Sequence, residues 1–144
     1  LSLLIPLNAL GYTGVPSWAK EEFSNAEEQD IIPEILTEKD MSGNVTRLEF
    51  CHIALNLYEL MLGMETTGTY ITPFSDVDDR AVSISQSLGI VNGYPDGTFL
   101  PDNQISRQEL FKMLGNLMDT LGIDIDLDSE ICESFIYTTI YICI

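Results

Sequence analysis

Apolar residues fall on nearly every face of LEFCHIALNLYELML, residues 48–62. A helix with that pattern is enclosed on most sides, so it predicts a buried helix over 47–62 at the centre of a bundle. A second apolar stretch predicts a matching helix over 107–121. Each is preceded by a shorter amphipathic segment, residues 17–29 and 78–88, and then by a polar, turn-rich loop. Between the two units, GMETTGTYITP (residues 63–73) has the composition of a linker.

The pattern is an internal repeat. Val45-Thr46-Arg47-Leu48-Glu49 aligns with Ile105-Ser106-Arg107-Gln108-Glu109 at an offset of 60 residues. Upstream, Asp30-Ile31-Ile32 aligns with Gly89-Ile90-Val91 after a one-residue gap, and Phe23 falls on Val82. The expected fold is all-α: tandem helix-loop-helix repeats packed as a small bundle, with the second helix of each forming the core. The expected organisation is a lead segment over 1–16, from a preceding domain or a signal remnant, then repeats over 17–66 and 67–122. Residues 123–144 form an acidic linker and apolar tail, with a truncated third repeat as the alternative. The tail's last stretch, 135–144, is β-branched and aromatic with few charges.

Both second helices open on the capping-box pattern S/T-x-x-E, Thr46 with Glu49 and Ser106 with Glu109. The cap leaves Arg47 and Arg107 unexplained. Each stands at the first helical position, where a cation opposes the helix dipole by about a few tenths of a kcal/mol. The chain has only six basic residues, and two take this place. Backbone N–H groups and a guanidinium fork together make an anion site. The competing reading is a salt bridge to a neighbouring carboxylate. In the loop before Arg107, Gly93 and Gly97 are read as positions of positive φ that let backbone approach a ligand, with Asp96 shaping the turn.

Charge narrows the choice of ligand. A net charge of −17 leaves no basic patch to neutralise phosphates, so nucleic acid is excluded as a partner. Any anion is held locally, by a few placed groups. The three cysteines, Cys51, Cys132 and Cys143, are odd in number and show no CxxC spacing, which argues against a disulfide framework or a zinc site. Cys51 reads as a small core residue, and His52, the single histidine, as a core or groove residue. Asp124, Asp126 and Asp128 begin like a calcium loop, but Ser129 and Phe135 break the pattern, leaving a solvated linker. Asp76–Asp79 is read as the cap of the second unit's first helix. No cofactor, no metal, no catalytic residue and no membrane span is expected.

Residues 89–109, GIVNGYPDGTFLPDNQISRQE, closely resemble the loop and second-helix start of an S-layer homology (SLH) domain. The first repeat resembles it less: it keeps Trp18 and Val45-Thr46-Arg47-Leu48-Glu49, but Asp30 stands where the family has Gly, and PEILTEKDMSGN replaces the glycine-rich loop. The family usually has three repeats, and two are evident here. The resemblance implies a noncovalent anchor that binds anionic, commonly pyruvylated, secondary cell-wall polysaccharide of a bacterium. It implies a secreted, cell-wall or S-layer location, and no enzyme activity of the module itself. Carried over residue by residue, it places Arg47 and Arg107 at the acidic ligand, with Glu49 and Glu109 beside them. Trp18 becomes a sugar-facing or packing aromatic, and Gly93, Asp96 and Gly97 shape the groove. Arg107 is expected to matter more than Arg47, because only the second repeat keeps the full loop. Two rivals remain: a protein-interaction or oligomerisation module, which would self-associate or take a third repeat from another segment, and a non-catalytic fragment of a larger surface enzyme.

Overall fold

Thr46 and Ser106 start the two long helices by reciprocal hydrogen bonding. Thr46 Oγ1 accepts from the Glu49 N–H at 3.2 Å while Glu49 Oε2 accepts from the Thr46 N–H at 2.9 Å. Ser106 and Glu109 repeat this at 3.3 and 3.0 Å. These boxes fix the starts of α2, Arg47–Leu62, and α4, Arg107–Thr120, where the sequence places them. The computed structural model describes residues 12–68 and 70–123. Ahead of α2 lie α1, Lys20–Glu28, entered through a short 3-10 turn at Ser17–Ala19, and a second such turn at Glu34–Leu36. Ahead of α4 lies α3, Arg80–Ser87. Among the described residues there are four α-helices and no strands, so the fold is all-α. The segment before residue 12, the acidic stretch from residue 124, the apolar tail, Cys132 and Cys143 lie outside the described residues.

The centre of the molecule is α2 against α3. Phe50, Cys51, Ala54 and Leu55 of α2 meet Ala81, Val82 and Ile84 of α3, and Ile90, Val91, Phe99, Met113 and Leu117 complete the cluster. Small residues make α3 fit: Ser83 and Ser85 are buried between the apolar positions, and Ser83 Oγ donates to the Asp79 carbonyl at 2.8 Å. Burial pushes the Cys51 thiol up to about 12, so it behaves as the small core residue expected of it. Asp79 caps α3 by accepting from the N–H groups of Ala81 and Val82, and its other oxygen lies 3.1 Å from His52 Nε2. His52 thus ties α2 to the start of α3.

The core departs from the expectation in one respect. Only the N-terminal half of α2 is enclosed; Leu60, Met61 and Leu62 are exposed. The helices α3 and α4 and the loop between them cover α2 only that far. Likewise α4 buries just Met113 and Leu117, while Phe111 stays exposed. The first helices are unequal too, since α1 buries no residue and α3 buries five. Phe23 packs edge-to-face on Tyr12 at 5.1 Å, whereas its repeat partner Val82 is fully buried.

The repeats join through the segments that precede α2 and α4, which run antiparallel. The Ile105 N–H donates to the Val45 carbonyl at 3.1 Å, and the Arg47 N–H to the Asn103 carbonyl at 2.9 Å. Asn44 Nδ2 donates to Gln104 Oε1 at 3.0 Å, so two side chains 60 positions apart in the repeat meet directly. The packing predicts a sharp contrast between two positions. Ile84→Ala, at a fully buried site, is expected to cost about 2–4 kcal/mol in urea unfolding. Phe111→Ala is expected to stay within about 0.5 kcal/mol.

Candidate functional site

The glycine-rich loop of the second repeat is held by carboxylates. Asp96 Oδ1 accepts from the Thr98 N–H at 3.0 Å and the Thr98 hydroxyl at 2.7 Å, closing a tight turn. The Tyr94 N–H donates to the Thr98 carbonyl, and the Gly97 N–H to the Tyr94 carbonyl. Asp76 then clamps the loop's far side, accepting from the N–H groups of Phe99 and Leu100 at 2.8 Å each. Leu100 needs such a clamp, because its φ of 57° lies in the left-handed region, unfavourable for a side chain with a Cβ. The four-residue cap expected over Asp76–Asp79 therefore divides: Asp79 caps α3 and Asp76 holds the loop. The bonds from Phe99 and Leu100 hold the Asp76 carboxyl below its ordinary value near 3.8.

Gly93 and Gly97 are glycines for different reasons. Gly97 has φ of 84° with open space where a Cβ would stand, so conformation alone selects it. Gly93 does not have positive φ; the requirement there is room. A Cβ at Gly93 would lie 2.1 Å from the Phe74 ring and 2.7 Å from the Thr98 carbonyl oxygen. Phe74 in turn stacks on Phe99 at 5.2 Å.

Arg47 of the first repeat reaches into this loop. Its side chain is 6% exposed. Nε donates to the Phe99 carbonyl at 2.8 Å, one terminal nitrogen to the Asn92 carbonyl at 2.7 Å, and the other to Glu109 Oε1 at 3.1 Å. The guanidinium also lies over the rings of Phe99 and Tyr94, at 4.5 and 5.1 Å from their centroids. The backbone at the head of α2 is equally engaged, with the N–H groups of Arg47 and Leu48 donating to the carbonyls of Asn103 and Pro101. That head has no free N–H pair for an anion, so the helix-terminus half of the two-part site is closed at α2.

Outside Arg47 lies a concavity of about 190 Å³, lined by Asn92, Gly93, Tyr94, Glu109, Lys112 and Asn116 among others. Of the residues singled out from sequence, Arg47, Gly93 and Glu109 converge here. Asp96 and Gly97 shape the same loop without lining the groove. Glu49 caps α2 and pairs with Lys39 at 3.2 Å. Trp18 is 82% exposed on the turn before α1 and is not part of the groove. Arg107 is exposed at the head of α4, also outside the groove, and makes no ion pair among the described residues. Hydrogen bonds from the Ser106 backbone and hydroxyl, with Arg47 beside it, hold the Glu109 carboxyl low, so it remains an anion.

Lys112 escaped the sequence reading, yet spacing marks it. It follows Glu109 by three residues and precedes Asn116 by four, the interval that lines one helix face. Its ammonium has no carboxylate partner among the described residues, in a chain with 23 acidic side chains.

The loop geometry orders two substitutions. Gly93→Ala is expected to lower the melting temperature more than Gly97→Ala, because a clash with ring and backbone has no easy relief. The Gly97 change costs about 1–2 kcal/mol of conformational strain. Equal losses would show that the Phe74 contact yields. Asp76 carries a pH signature. Its folded value is depressed, so its contribution is present above about pH 4 and fades as pH falls through the depressed folded value. Melts of wild type and Asp76→Asn are therefore expected to differ at pH 7 and to converge towards pH 2.

Comparison with known proteins agrees with this loop. The S-layer homology domain family model matches residues 73–111. Cell surface glycoprotein 1 of Acetivibrio thermocellus is 30% identical over 86 residues, covering 53% of this chain and 4% of that protein. Amylopullulanase of Thermoanaerobacterium thermosulfurigenes is 31% identical over 87 residues, covering 56% of this chain and 5% of that protein. The chain thus spans a small fraction of the length of these relatives. No solved structure matches it at a significant level. No helix among the described residues is long and apolar enough to cross a membrane. The S-layer homology domain match takes in α3, the glycine-rich loop and the first turn of α4, and leaves the first repeat outside it.

Proposed function

We propose that the chain is a noncovalent cell-surface anchor whose groove receives an acidic group of a cell-wall polysaccharide, a pyruvate ketal being the carboxylate that fits the scale of the site. The observation that carries this reading is the unpaired Lys112 ammonium beside Tyr94 and the buried Arg47, in a chain otherwise so acidic that an anion is repelled elsewhere. Arg47 fixes the loop and supplies positive charge from behind. Lys112 makes the direct contact with the carboxylate, the Tyr94 ring gives the sugar an apolar face, and Glu109 and Asn116 offer acceptors and donors to hydroxyls. Binding needs no reaction, and the role proposed for this module is non-catalytic. Any catalytic activity would belong to a longer protein of which this is a part.

Titration calorimetry with purified wall polysaccharide, before and after removal of its pyruvyl groups, tests the reading. Lys112→Ala is expected to weaken binding by about 1.5–3 kcal/mol, the range for a charge-assisted hydrogen bond, and to leave the melt unchanged. Lys112→Arg is expected to retain most of the affinity. Removal of the pyruvyl groups is expected to remove the Lys112 dependence. Arg107→Ala serves as the comparator: if it abolishes binding while Lys112→Ala does not, the ligand fork is the exposed arginine at the head of α4 and the groove assignment fails. Loss in neither variant favours the interaction-module reading.

A further inference from the structure

Residues 92–97 hold two junctions at which a side-chain carbonyl is followed by glycine, Asn92-Gly93 and Asp96-Gly97. Asn92 is the one asparagine of the chain that glycine follows. Such a junction can close a five-membered imide, because a residue without a Cβ does not hinder its own nitrogen from reaching the preceding side chain. The fold treats the two junctions differently. At Asp96-Gly97 both reacting groups are occupied. Oδ1 of Asp96 accepts from the Thr98 hydroxyl and N–H, bonds that hold the carboxyl below its ordinary value near 3.8. The Gly97 N–H donates to the Tyr94 carbonyl at 3.1 Å. An ionised carboxylate resists attack by a nucleophile, and an N–H committed to a carbonyl is a poor one.

At Asn92-Gly93 neither reacting group is held. The Nδ2 groups of Asn44, Asn56 and Asn116 each donate to an oxygen, at 3.0, 2.6 and 3.1 Å. The Asn92 amide donates to none among the described residues, and Asn92 is exposed. The Gly93 N–H likewise donates to no carbonyl among the described residues, whereas the Tyr94 and Gly97 N–H groups do. Only the main-chain carbonyl of Asn92 is engaged, 2.7 Å from Arg47. The glycine is kept by packing, since a Cβ there would meet Phe74 and the Thr98 carbonyl. Both residues line the groove that Glu109 and Lys112 also line.

We propose that Asn92-Gly93 is a site of spontaneous covalent modification, at which the folded chain turns its own asparagine into aspartate and isoaspartate and so places a carboxylate in the groove. The Gly93 nitrogen gives its proton to a solvent base and attacks Asn92 Cγ. The N–Cγ bond forms, the Cγ–Nδ2 bond breaks, and the nitrogen takes up a proton and leaves as ammonia. Water then opens the ring. Cleavage of the new bond gives aspartate. Cleavage of the original peptide bond gives isoaspartate, and the carbonyl that Arg47 holds becomes a carboxylate. Two cations and one carboxylate, Arg47, Lys112 and Glu109, leave the groove a single positive charge. Either product cancels it, and with it the local attraction for an anion. The modification stands on the loop alone; its effect on binding rests on the polysaccharide reading.

Storage of the full chain in mildly alkaline buffer, followed by peptide mass spectrometry with electron-transfer fragmentation, tests the site. A guanidinium-unfolded sample and Asn92→Gln are stored beside it, and far-UV circular dichroism checks that the first sample stays folded. In the folded chain Asn92 is expected to gain the mass of an amide-to-acid exchange, with isoaspartate among the products, while Asp96 and the other asparagines persist. Asn92→Gln is expected to stay unchanged, because its ring would need a sixth member. Unfolding is expected to free Asp96-Gly97 to isomerise as well. Calorimetry with wall polysaccharide is then expected to show the stored chain, and freshly made Asn92→Asp, binding at least about tenfold more weakly than fresh wild type. An Asn92 that stays intact in the folded chain while the unfolded chain converts overturns the proposal, as does earlier conversion at another asparagine of the folded chain. Conversion at Asn92 with no loss of affinity upholds the modification site and counts against the groove as the polysaccharide site.

Discussion

The arrangement of this molecule depends on one buried cation. Arg47 belongs to the first repeat by sequence and to the second by contact: two loop carbonyls, a carboxylate and two aromatic rings surround its guanidinium. Removing a charge from water is costly, and a buried arginine is tolerated only where its donors are met. Here the partners come from two parts of the chain, the loop at Asn92 and Phe99 and the first turn of α4, which the Tyr94 hydroxyl also joins by donating to Glu109 Oε1 at 3.4 Å. Satisfying Arg47 therefore requires the second repeat's loop to be formed and α4 to be docked. The carboxylate clamp of Asp76, the room left by Gly93 and the Phe74 stack all serve to present those carbonyls in place.

That dependence explains how a chain so acidic builds a cationic groove. Three of the six basic side chains are committed to structure: Arg80 binds Glu59 and the Thr66 carbonyl across the linker, Lys39 binds Glu49, and Arg47 is enclosed. Lys112 is left over in a concave place, beside a guanidinium already neutralised in part by Glu109. The local field is set by a few charges at short range, while the rest of the surface repels anions. The proposed preference for a small acidic group rests on that contrast and not on a broad basic patch.

Much of this was legible in the sequence. The apolar pattern and the two S/T-x-x-E boxes gave the start of α2 and of α4 to the residue, because a cap is local chemistry. The family resemblance of residues 89–109 rested on turn formers whose roles are likewise local. What escaped depends on contacts between distant parts of the chain. Arg47 and Arg107 occupy identical motifs, and nothing within either motif says which will find a receiving loop; only the unit that follows decides. Asp76 lay in an acidic run that suits a helix cap, and its long-range clamp on Phe99 and Leu100 left no mark in spacing. Gly93 looked like a conformational glycine and is a steric one, since the ring that crowds it is 19 positions away. Lys112 was readable from its helical interval, but one lysine in a helix carries little weight until the loop is seen to face it.

The antiparallel pairing of the segments before α2 and α4 also decides how the module yields to tension. Residues 44 and 104 are joined by side chains, 45 and 105 by backbone, and 47 and 103 by backbone, so a pull on the chain from both sides meets these bonds at the same end. They open in turn, like a zipper, each resisting only about as much as a single hydrogen bond. The peeling then arrives at Arg47, whose bonds to Phe99 and Asn92 lie inside the closed loop and share one rigid planar group, while its bond to Glu109 lies on the pulled side. Until these break, most of α2, the linker and α3 lie inside the closed loop and carry no load. Under such a pull the buried arginine is a latch placed at the far end of a zip.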